Sequence, residues 1–559
     1  MILGIWDGHD AGAAIIEGNE IKIAVNEERL TRKKLDVGFP YESINCCLNY
    51  INLKPTDVEK IACCTSDFSK TMTRVFPSMK DRYYLLRRRQ IYPRFAKRQK
   101  NLKYKLTEIG TSYPTKKASE IILKKHLKRM GFSDFEFKIF DHHLAHAACA
   151  GYCSGFSKST VVTIDGVGDG ASGSVNIFDK GRIDRISTMS SKNSLGIFFE
   201  HVTNLLGMRE LEDEGKVMAL SDFAYQVPDE RNPMLRFFNV SGLNIKAKYS
   251  STRMWEELKK ILWHMSPEQF AWMAQYSLEK YVLELFTNAI KETNLHDVSW
   301  AGGVASNIKA NMKIRHLPDV DKSFVFPHMG DGGLALGAAL LFNYEKNGIW
   351  NYNFDNVYFG PEYTEDEIEK ELKKNKMEFT QHKNIEAPVA ELIDQKKIVF
   401  LFQGRMEYGP RALGNRSILA SASSLESKND LNMKIKRREW YQPFCPTILE
   451  EDAEKIFSDY DIPNRFMTMG YMVNKKYLED MAAVINIDAS ARPQILGNEN
   501  IKFKNLLKEV KKKSGLGAIL NTSFNLHGYP IVNTPKEALD VVKKSKSCYM
   551  VIGDYLIEM

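Results

Sequence analysis

Apolar residues in the first 27 positions fall in three short runs. "ILGIW" ends at Asp7-Gly8, "GAAII" follows, and after a Gly-Asn turn "EIKIAVN" completes the set. Runs this short, bounded by glycine, asparagine and aspartate, predict three strands joined by tight turns. The pattern recurs from Thr160. "TVVTIDG" ends at Asp165-Gly166, a glycine-rich turn leads into "ASGSVNIF", and an Asp-Lys-Gly turn leads into "RIDRIS". Helical segments follow each triplet.

Two strand–strand–strand–helix units are the outline of an α/β actin-like (ASKHA) fold, a duplicated ribonuclease-H-like domain whose halves flank a nucleotide cleft. Asp7 and Asp165 are then expected at equivalent strand ends facing that cleft. A turn alone explains one Asp-Gly, but not two at matching points. At 559 residues the chain exceeds what a single core organises. A boundary is expected near "NYNFDNVYFGPEYTEDEIEKEL", where an aromatic, Gly-Pro linker meets a helix whose Thr364 and Glu367 form a capping box. The expected domains are 1–355 and 356–559.

Composition narrows the class. The chain is 43% hydrophobic and 26% charged, as ordinary soluble proteins are. No apolar run approaches bilayer length, and Asp7 interrupts an N-terminus without a basic region, so neither a membrane span nor a secretory signal is expected. Eight cysteines, including the adjacent pairs Cys46-Cys47 and Cys63-Cys64, form no disulfide framework. A cytoplasmic location is expected. The net charge of +8 is concentrated between Arg74 and Arg129, notably in "LLRRRQIYPRFAKRQKNLKYK". Basic residues interleaved with Tyr and Phe suit a nucleic-acid groove, but a solvated helical excursion is commoner. "LLKEVKKKSG" reads as a helix C-terminus whose lysines complement the dipole.

"DHHLAHAACA" holds three of the twelve histidines. His142 and His146 stand at i, i+4, the separation at which one helix face presents two nitrogens to a metal. His143 points elsewhere. A helix start capped by Asp141, with histidines satisfied by backbone, is the plainer alternative. Cys149 and Cys153 lie nearby and read as small buried residues rather than ligands. "SWAGGVASNIKANMKI" carries Gly302, Gly303 and Asn307 at a helix start, as phosphate-contacting loops do. "FPHMGDGGLALGAAL" sets Asp331 and Gly332 in a glycine-rich loop. His142, His146, Asp165 and Asp331 together suit a divalent transition metal, which tips the histidine question towards function. Asp7, Gly302, Gly303, Asn307 and Gly332 are the candidate nucleotide- or phosphate-binding residues.

The C-terminal part has its own chemistry. "GRMEYGPRALGNRS" places Arg405, Arg411 and Arg416 in one short segment, with Ser417 beside them. Lys436 adds a point charge and Arg492 another guanidinium fork. Asn521, Ser523 and Asn525 follow the apolar strand "LGAIL". Arginines among glycines and prolines favour an anion pocket over surface salt bridges.

Across essentially the whole chain the sequence resembles the NodU/CmcH family of O-carbamoyltransferases. The segments that carry the resemblance include "DGHDAGAAII", "NEERLTRKKLDVGFP", "DHHLAHAA", "TIDGVGDG", "WAGGVASN", "GRMEYGPRALGNRSILA", "MKIKRREWYQPFCPTIL" and "NTSFNLHGYPIVNTPKEAL". The resemblance implies an N-terminal domain related to the tRNA threonylcarbamoyl transferase subunit and a YrdC-like α+β C-terminal domain. It makes the arginine pocket the place where carbamoyl phosphate and ATP become carbamoyl-adenylate, with Lys436 catalytic. The N-terminal cleft then transfers the carbamoyl group to a hydroxyl-bearing small-molecule acceptor. The metal expected is Fe2+, with Mg2+ accompanying ATP, and His9 is the candidate general base. Two departures from the family pattern stand out: Tyr529 in "GYPIV", and Tyr441-Gln442 before "PF", where an anion contact is expected. A tRNA-modifying transferase using the basic 74–129 region is the rival reading, and an actin-like ATPase or sugar-binding module ranks last. The oligomeric state is left open, a homodimer being one option.

Overall fold

The computed structural model describes residues 1–87, 102 and 105–559. Most of the basic run "RRRQIYPRFAKRQK" lies outside the described residues. The chain divides into two compact units. The first comprises Met1–Glu27 and Asp36–Phe354, the second Glu28–Leu35 and Asp355–Met559. No described helix is long and apolar enough to cross a membrane.

The first unit holds two five-stranded sheets of the same topology. One contains β1 (Ile2–Trp6), β2 (Gly12–Glu17), β3 (Glu20–Asn26), β4 (Lys60–Cys64) and β5 (Glu136–Phe140), in the order β3-β2-β1-β4-β5. The other contains β6 (Lys158–Gly168), β7 (Ala171–Asp179) and β8 (Arg182–Ser190). A hairpin of β9 (Phe238–Ser241) and β10 (Asn244–Ala247) stands apart, and β11 (Asp297–Ala301) and β12 (Lys322–Val325) complete the second sheet. Its order, β8-β7-β6-β11-β12, is the first sheet again. In each, the first three strands are antiparallel and the last two parallel to the first. This duplicated order is the actin-like, ribonuclease-H-like fold.

Local sequence accounts for the elements. The Asp-Lys-Gly turn puts Lys180 at φ 46° and Gly181 at φ 90°, the left-handed pair that a tight hairpin needs. The apolar strand carrying Asp165 does not stop there. β6 runs on to Gly168, with a register shift against β7 between Ile164 and Gly168. Such a bulge re-aims side chains, here at Asp165.

Helix Leu334–Asn347 packs on β1, β2 and β4 and on helix His142–Tyr152. Glycine permits the approach. A Cβ on Gly4 would lie 1.9 Å from the Ala335 carbonyl oxygen, and one on Gly337 would lie 2.3 Å from that of Ala145.

The second unit is built on an eight-stranded mixed sheet. Its order is Thr380–Gln381, Tyr555–Glu558, Tyr549–Ile552, Val399–Phe402, Arg416–Ser421, Ala518–Ser523, Cys445–Leu449 and Gln494–Leu496. Helices Glu386–Asp394 and Ile501–Ser514 cover one face over a core that includes Leu419, Leu449, Phe503 and Ile519. The capping box is present: Thr364 Oγ1 accepts from the Glu367 amide (3.3 Å) and Glu367 Oε2 from the Thr364 amide (2.8 Å). The lysine-rich helix ends at Gly515, φ 82°, as its sequence predicts.

Sequence contiguity places Glu28–Leu35 with the first domain, yet its hydrogen bonds lie in the second unit. Arg29 Nη2 donates to Gly409 O (2.6 Å). Arg32 donates to Ile531 O (2.7 Å) and Pro530 O (2.8 Å) and pairs with Glu537 (3.2 Å). These contacts fix the segment as a strap.

The glycine contact gives a test. Gly337→Ala forces backbone apart and is expected to cost about 1–3 kcal/mol by overpacking, read from urea unfolding. Gly215→Ala meets open space and is expected to be neutral or stabilising. Equal effects of the two would sink the close-approach account.

Candidate metal centre and anion pocket

Asp141 caps helix His142–Tyr152 by accepting from the Leu144 amide (2.8 Å). Starting the helix there sets His142 and His146 one above the other; the cap of the plainer reading is present, but the His142 and His143 rings bond side chains rather than backbone. His142 Nε2 lies 3.1 Å from Asp165 Oδ2 and 3.7 Å from Asp331 Oδ1. His146 Nε2 lies 3.6 Å from Asp331 Oδ1 and 3.9 Å from Asp165 Oδ2. One donor atom from each of the four falls within 4.8 Å of the others. Neighbours orient the set: Thr65 Oγ1 bonds His142 Nδ1 (2.9 Å), and the Gly303 amide donates to Asp165 Oδ1 (2.8 Å). His143 turns away to Thr163 Oγ1 (2.9 Å).

Electrostatics bind these groups together. Burial opposes charge on Asp165, but the His142 hydrogen bond and the His146 and His142 charges hold its carboxyl well below the usual range. Burial likewise opposes charge on Asp331, and His9 and His142 outweigh it to lower that carboxyl. His142 is driven the other way, up to about 9, because Asp331 and Asp165 outweigh its burial. Burial and the two neighbouring histidines push His143 down to about 3. His146 Nε2 is buried and has no hydrogen-bond partner. Two imidazoles, two carboxylates and an orphaned ring nitrogen aimed among them fit a divalent cation.

His9 stands beside this group, its Nδ1 3.5 Å from Asp331 Oδ2 and 3.3 Å from the Tyr84 hydroxyl. Trp6 Nε1 donates to its carbonyl (2.8 Å). Burial lowers the His9 pKa more than Asp331 raises it, which favours the uncharged ring. Tyr84 was not legible in the sequence; no motif marks it. Gly332 lies where a Cβ would sit 2.2 Å from Asp10 Oδ2 and from the His328 ring, so a larger residue would displace those side chains.

Three expected phosphate contacts are otherwise engaged. Both Asp7 oxygens are occupied, by Arg74 Nε (2.8 Å) and Nη2 (2.9 Å) and by Lys70 Nζ (2.9 Å). Its carboxyl lies far below the usual range, as Arg74 and Lys70 overcome its burial. A carboxylate so neutralised is a structural anchor. Asn307 caps helix Ile308–Arg315 and exchanges amide hydrogen bonds with Gln275 (2.9 and 2.8 Å). Gly303 gives its amide to Asp165, and Gly302, φ 102°, lets the loop press against the Ile164 carbonyl. Two residues of the basic region turn inward, Arg74 to Asp7 and Arg87 to Glu200 and Glu210, whereas Lys116, Lys117, Lys125, Lys128 and Arg129 are exposed.

In the second unit, strand alternation sorts the arginines. Arg416 and Ser417 are adjacent on one strand and face opposite sides of the sheet. Arg416 is 0% exposed; its Nη1 donates to Gln403 O (2.7 Å), Asn415 O (3.0 Å) and Gly404 O (3.1 Å), and its guanidinium lies 3.6 Å over the Phe402 ring. Burial pushes it down to about 10. Its Nε and Nη2 are buried without a hydrogen-bond partner. Ser417 Oγ accepts from the Gly414 amide (3.1 Å), and Arg405 donates to Phe359 O (2.8 Å) and Gly360 O (3.1 Å). Glu407, absent from the sequence-derived set, accepts from the Leu413 (2.8 Å), Asn415 (2.9 Å) and Arg416 (3.1 Å) amides and shapes the loop.

The remaining candidates converge on the other face. Arg492 Nε and Nη2 donate to Cys445 Sγ at 3.1 and 2.9 Å. Burial and the Arg492 charge push Arg411 down to about 9. Arg438 is pushed down to about 10 by burial and, against the pull of Cys445, by Arg492. Arg411 Nε is buried without a partner, and so is Asn521 Oδ1. Asn521 stands directly opposite Cys445 in strand register, while its Nδ2 donates to Thr447 Oγ1 (3.0 Å) and Ala412 O (3.2 Å). Lys436 ends a π-helical turn, Leu431–Lys436, before Arg437 at φ 44°. Its Nζ donates to Asn525 Oδ1 (3.0 Å), Asn525 O (3.1 Å), Ser523 Oγ (3.2 Å) and Ser523 O. Burial, Arg438 and Lys34 hold its pKa well below the ordinary value. Of the two departures, Gln442 Oε1 is buried and unpartnered, whereas Tyr529 is 55% exposed.

Residues 1–340 match the family described as carbamoyltransferase N-terminus, and residues 390–559 match carbamoyltransferase C-terminus. The chain belongs to the carbamoyltransferase family. It is 33% identical to an uncharacterized protein of Methanocaldococcus jannaschii, over 100% of this chain and 99% of that one. It is 30% identical to nodulation protein NolNO of Sinorhizobium fredii, over 98% of this chain and 79% of that one. Among solved structures, full-length HypF is similar over 63% of this chain and 56% of that one, at 12% identity and a TM-score of 0.39. The fold rests on the strand order above rather than on so slight a likeness.

Two outcomes are expected of this carbamoyltransferase. Elemental analysis after loading with a divalent ion should find about one ion per chain, His146→Ala should lose it, and Thr65→Val should weaken binding roughly 10- to 100-fold. Undiminished stoichiometry in the His146 variant would return the pair to a purely structural role. In the second unit, Arg416→Ala should destabilise by about 3–5 kcal/mol as a buried network breaks. Arg492→Ala relieves repulsion with Arg411 and should stay within about 1 kcal/mol of the parent. Similar unfolding midpoints for the two would remove the distinction between core and pocket arginines.

Proposed function

We propose that this carbamoyltransferase activates carbamoyl phosphate with ATP in its second unit and transfers the carbamoyl group to a hydroxyl of a small molecule in its first. One observation carries the reading. The Arg492 charge acts on both Arg411 and Arg438, no carboxylate is among the groups that shift those two, and Arg411 Nε and Asn521 Oδ1 are buried without partners. Carbamoyl phosphate is complementary: its phosphate accepts from arginine, and its amide N–H groups have an acceptor in Asn521.

Loss of phosphate from carbamoyl phosphate, with one water, leaves carbamate. A carbamate oxygen then attacks the ATP α-phosphorus, and pyrophosphate leaves. Lys436 and the arginines offset the charge that accumulates on these oxygens. The product is a mixed anhydride that water would destroy outside the protein.

In the first unit, His142, His146, Asp165 and Asp331 would hold a divalent ion, with iron(II) suited to two imidazoles and two carboxylates. When bound it supplies Lewis-acid polarisation of a nearby oxygen. His9, neutral and beside Asp331, accepts the proton of the acceptor hydroxyl as that oxygen attacks the carbamoyl carbon and AMP departs. The Tyr84 hydroxyl at His9 Nδ1 orients the ring.

The test separates the steps. Radiolabelled pyrophosphate should exchange into ATP only when carbamoyl phosphate is present, and Lys436→Ala and Arg492→Ala should abolish the exchange. His9→Asn should keep it while transfer to a panel of hydroxyl acceptors falls roughly 10²- to 10⁴-fold. Exchange that ignores carbamoyl phosphate, or survives loss of Lys436, would refute the first step. Full transfer by the His9 variant would refute the second.

A further inference from the structure

The arginine cluster surrounds a sulfur. Cys445 Sγ accepts two N–H bonds from one guanidinium, Arg492, whose charge in turn acts on Arg411 and Arg438. The other cysteines differ. Cys63 also lies near an arginine (Arg74 Nη2, 3.7 Å), but that guanidinium is neutralised by Asp7 and burial pushes the thiol up to about 12. Burial raises Cys46 to about 11 and Cys47, Cys64, Cys149 and Cys153 further. Cys548 is exposed.

A second observation marks this spot as one that takes a polar ligand. Asn521, 1% exposed and directly across the strand pair from Cys445, has an Oδ1 without a donor. Arg411 Nε has no acceptor. A small molecule that both donates and accepts hydrogen bonds supplies what each of these two atoms lacks. Hydrogen peroxide is such a molecule.

We propose that Cys445 is an oxidation site within the anion pocket, converted by hydrogen peroxide to a sulfenic acid and shielded whenever the pocket holds phosphate. The sulfur attacks one peroxide oxygen, an S–O bond forms and the O–O bond breaks. The thiol proton passes to the departing oxygen, which leaves as water; sulfur is oxidised by two electrons and the peroxide reduced by two. The departing oxygen gains negative charge as it leaves, and an unpartnered arginine N–H is placed to stabilise it. Sulfenic acid is reversible by thiol, so the carbamoyl donor and the oxidant compete for one pocket. The shielding by a carbamoyl donor rests on the proposed function; the reaction of the thiol does not.

The experiment uses the reduced full chain, hydrogen peroxide and a dimedone trap for sulfenic acid, read cysteine by cysteine by peptide mass spectrometry. Cys445 should label at least about tenfold faster than Cys47, Cys63, Cys64, Cys149 or Cys153, and Arg411→Met should slow it. Inorganic phosphate at ten times its dissociation constant, measured by calorimetry, should slow labelling about tenfold, since only the empty fraction reacts. Labelling of Cys445 no faster than that of the five buried thiols, or no protection by phosphate shown to bind, overturns the proposal. If Cys445 labels fast and phosphate protects it while pyrophosphate exchange is absent, the oxidation site stands and the proposed function falls. If exchange proceeds while Cys445 stays inert to peroxide, the oxidation site falls and the proposed function stands.

Discussion

Buried carboxylate has to meet positive charge or N–H donors, and the duplicated first unit meets this requirement in two ways. At the end of β1, Asp7 is closed off by Lys70 and by Arg74, whose guanidinium keeps its charge at any physiological pH. At the matching point of β6, Asp165 faces two imidazoles and a second carboxylate, Asp331. Imidazole can give up its proton to a metal, whereas guanidinium cannot. The same acid in the same topological place is thus a brace in one half and, in the proposed reading, a metal ligand in the other. The bulge in β6, the Gly303 amide and the Asp141 cap all serve to hold the second arrangement.

In the second unit, charge is left unbalanced. Arginine is ordinarily buried with a carboxylate partner, and Glu407, the carboxylate nearest this loop in sequence, is engaged with backbone amides instead. Like charges held together repel one another, and under the proposed function an incoming anion would relieve that repulsion. Lys436 fits the same scheme: four oxygens surround its ammonium, none of them charged.

Much of this was legible from local pattern. The strand triplets, the Asp-Lys-Gly hairpin, the Thr364–Glu367 box and the i, i+4 histidines depend on residues a few positions apart, which sequence displays directly. The pairing of Asp7 with Arg74 spans 67 residues and leaves no local sign. Elsewhere a local signal pointed away from the expected role. Asn307 directly precedes a helix, where asparagine is a common cap. Arg416 and Ser417 begin an apolar strand, where period-two alternation already sends them to opposite faces. Cys445 and Arg438 share the stretch "MKIKRREWYQPFCPTIL", but only the sheet brings Arg492 and Asn521 to them.

The strap Glu28–Leu35 carries a consequence for how the chain is made. The Ile531 carbonyl that Arg32 bonds leaves the ribosome 499 positions after it. At roughly 5–20 residues per second that is a wait of about 25–100 s. Throughout it, β3 on one side and the chain from Asp36 on the other can fold, and the eight residues between them must stay unclaimed. Their charge suits the interval: "ERLTRKKL" carries four basic residues and one acid, which keeps it solvated until its late partners are synthesised. Severing the gene at the linker near residue 355 would strand the strap on the wrong fragment.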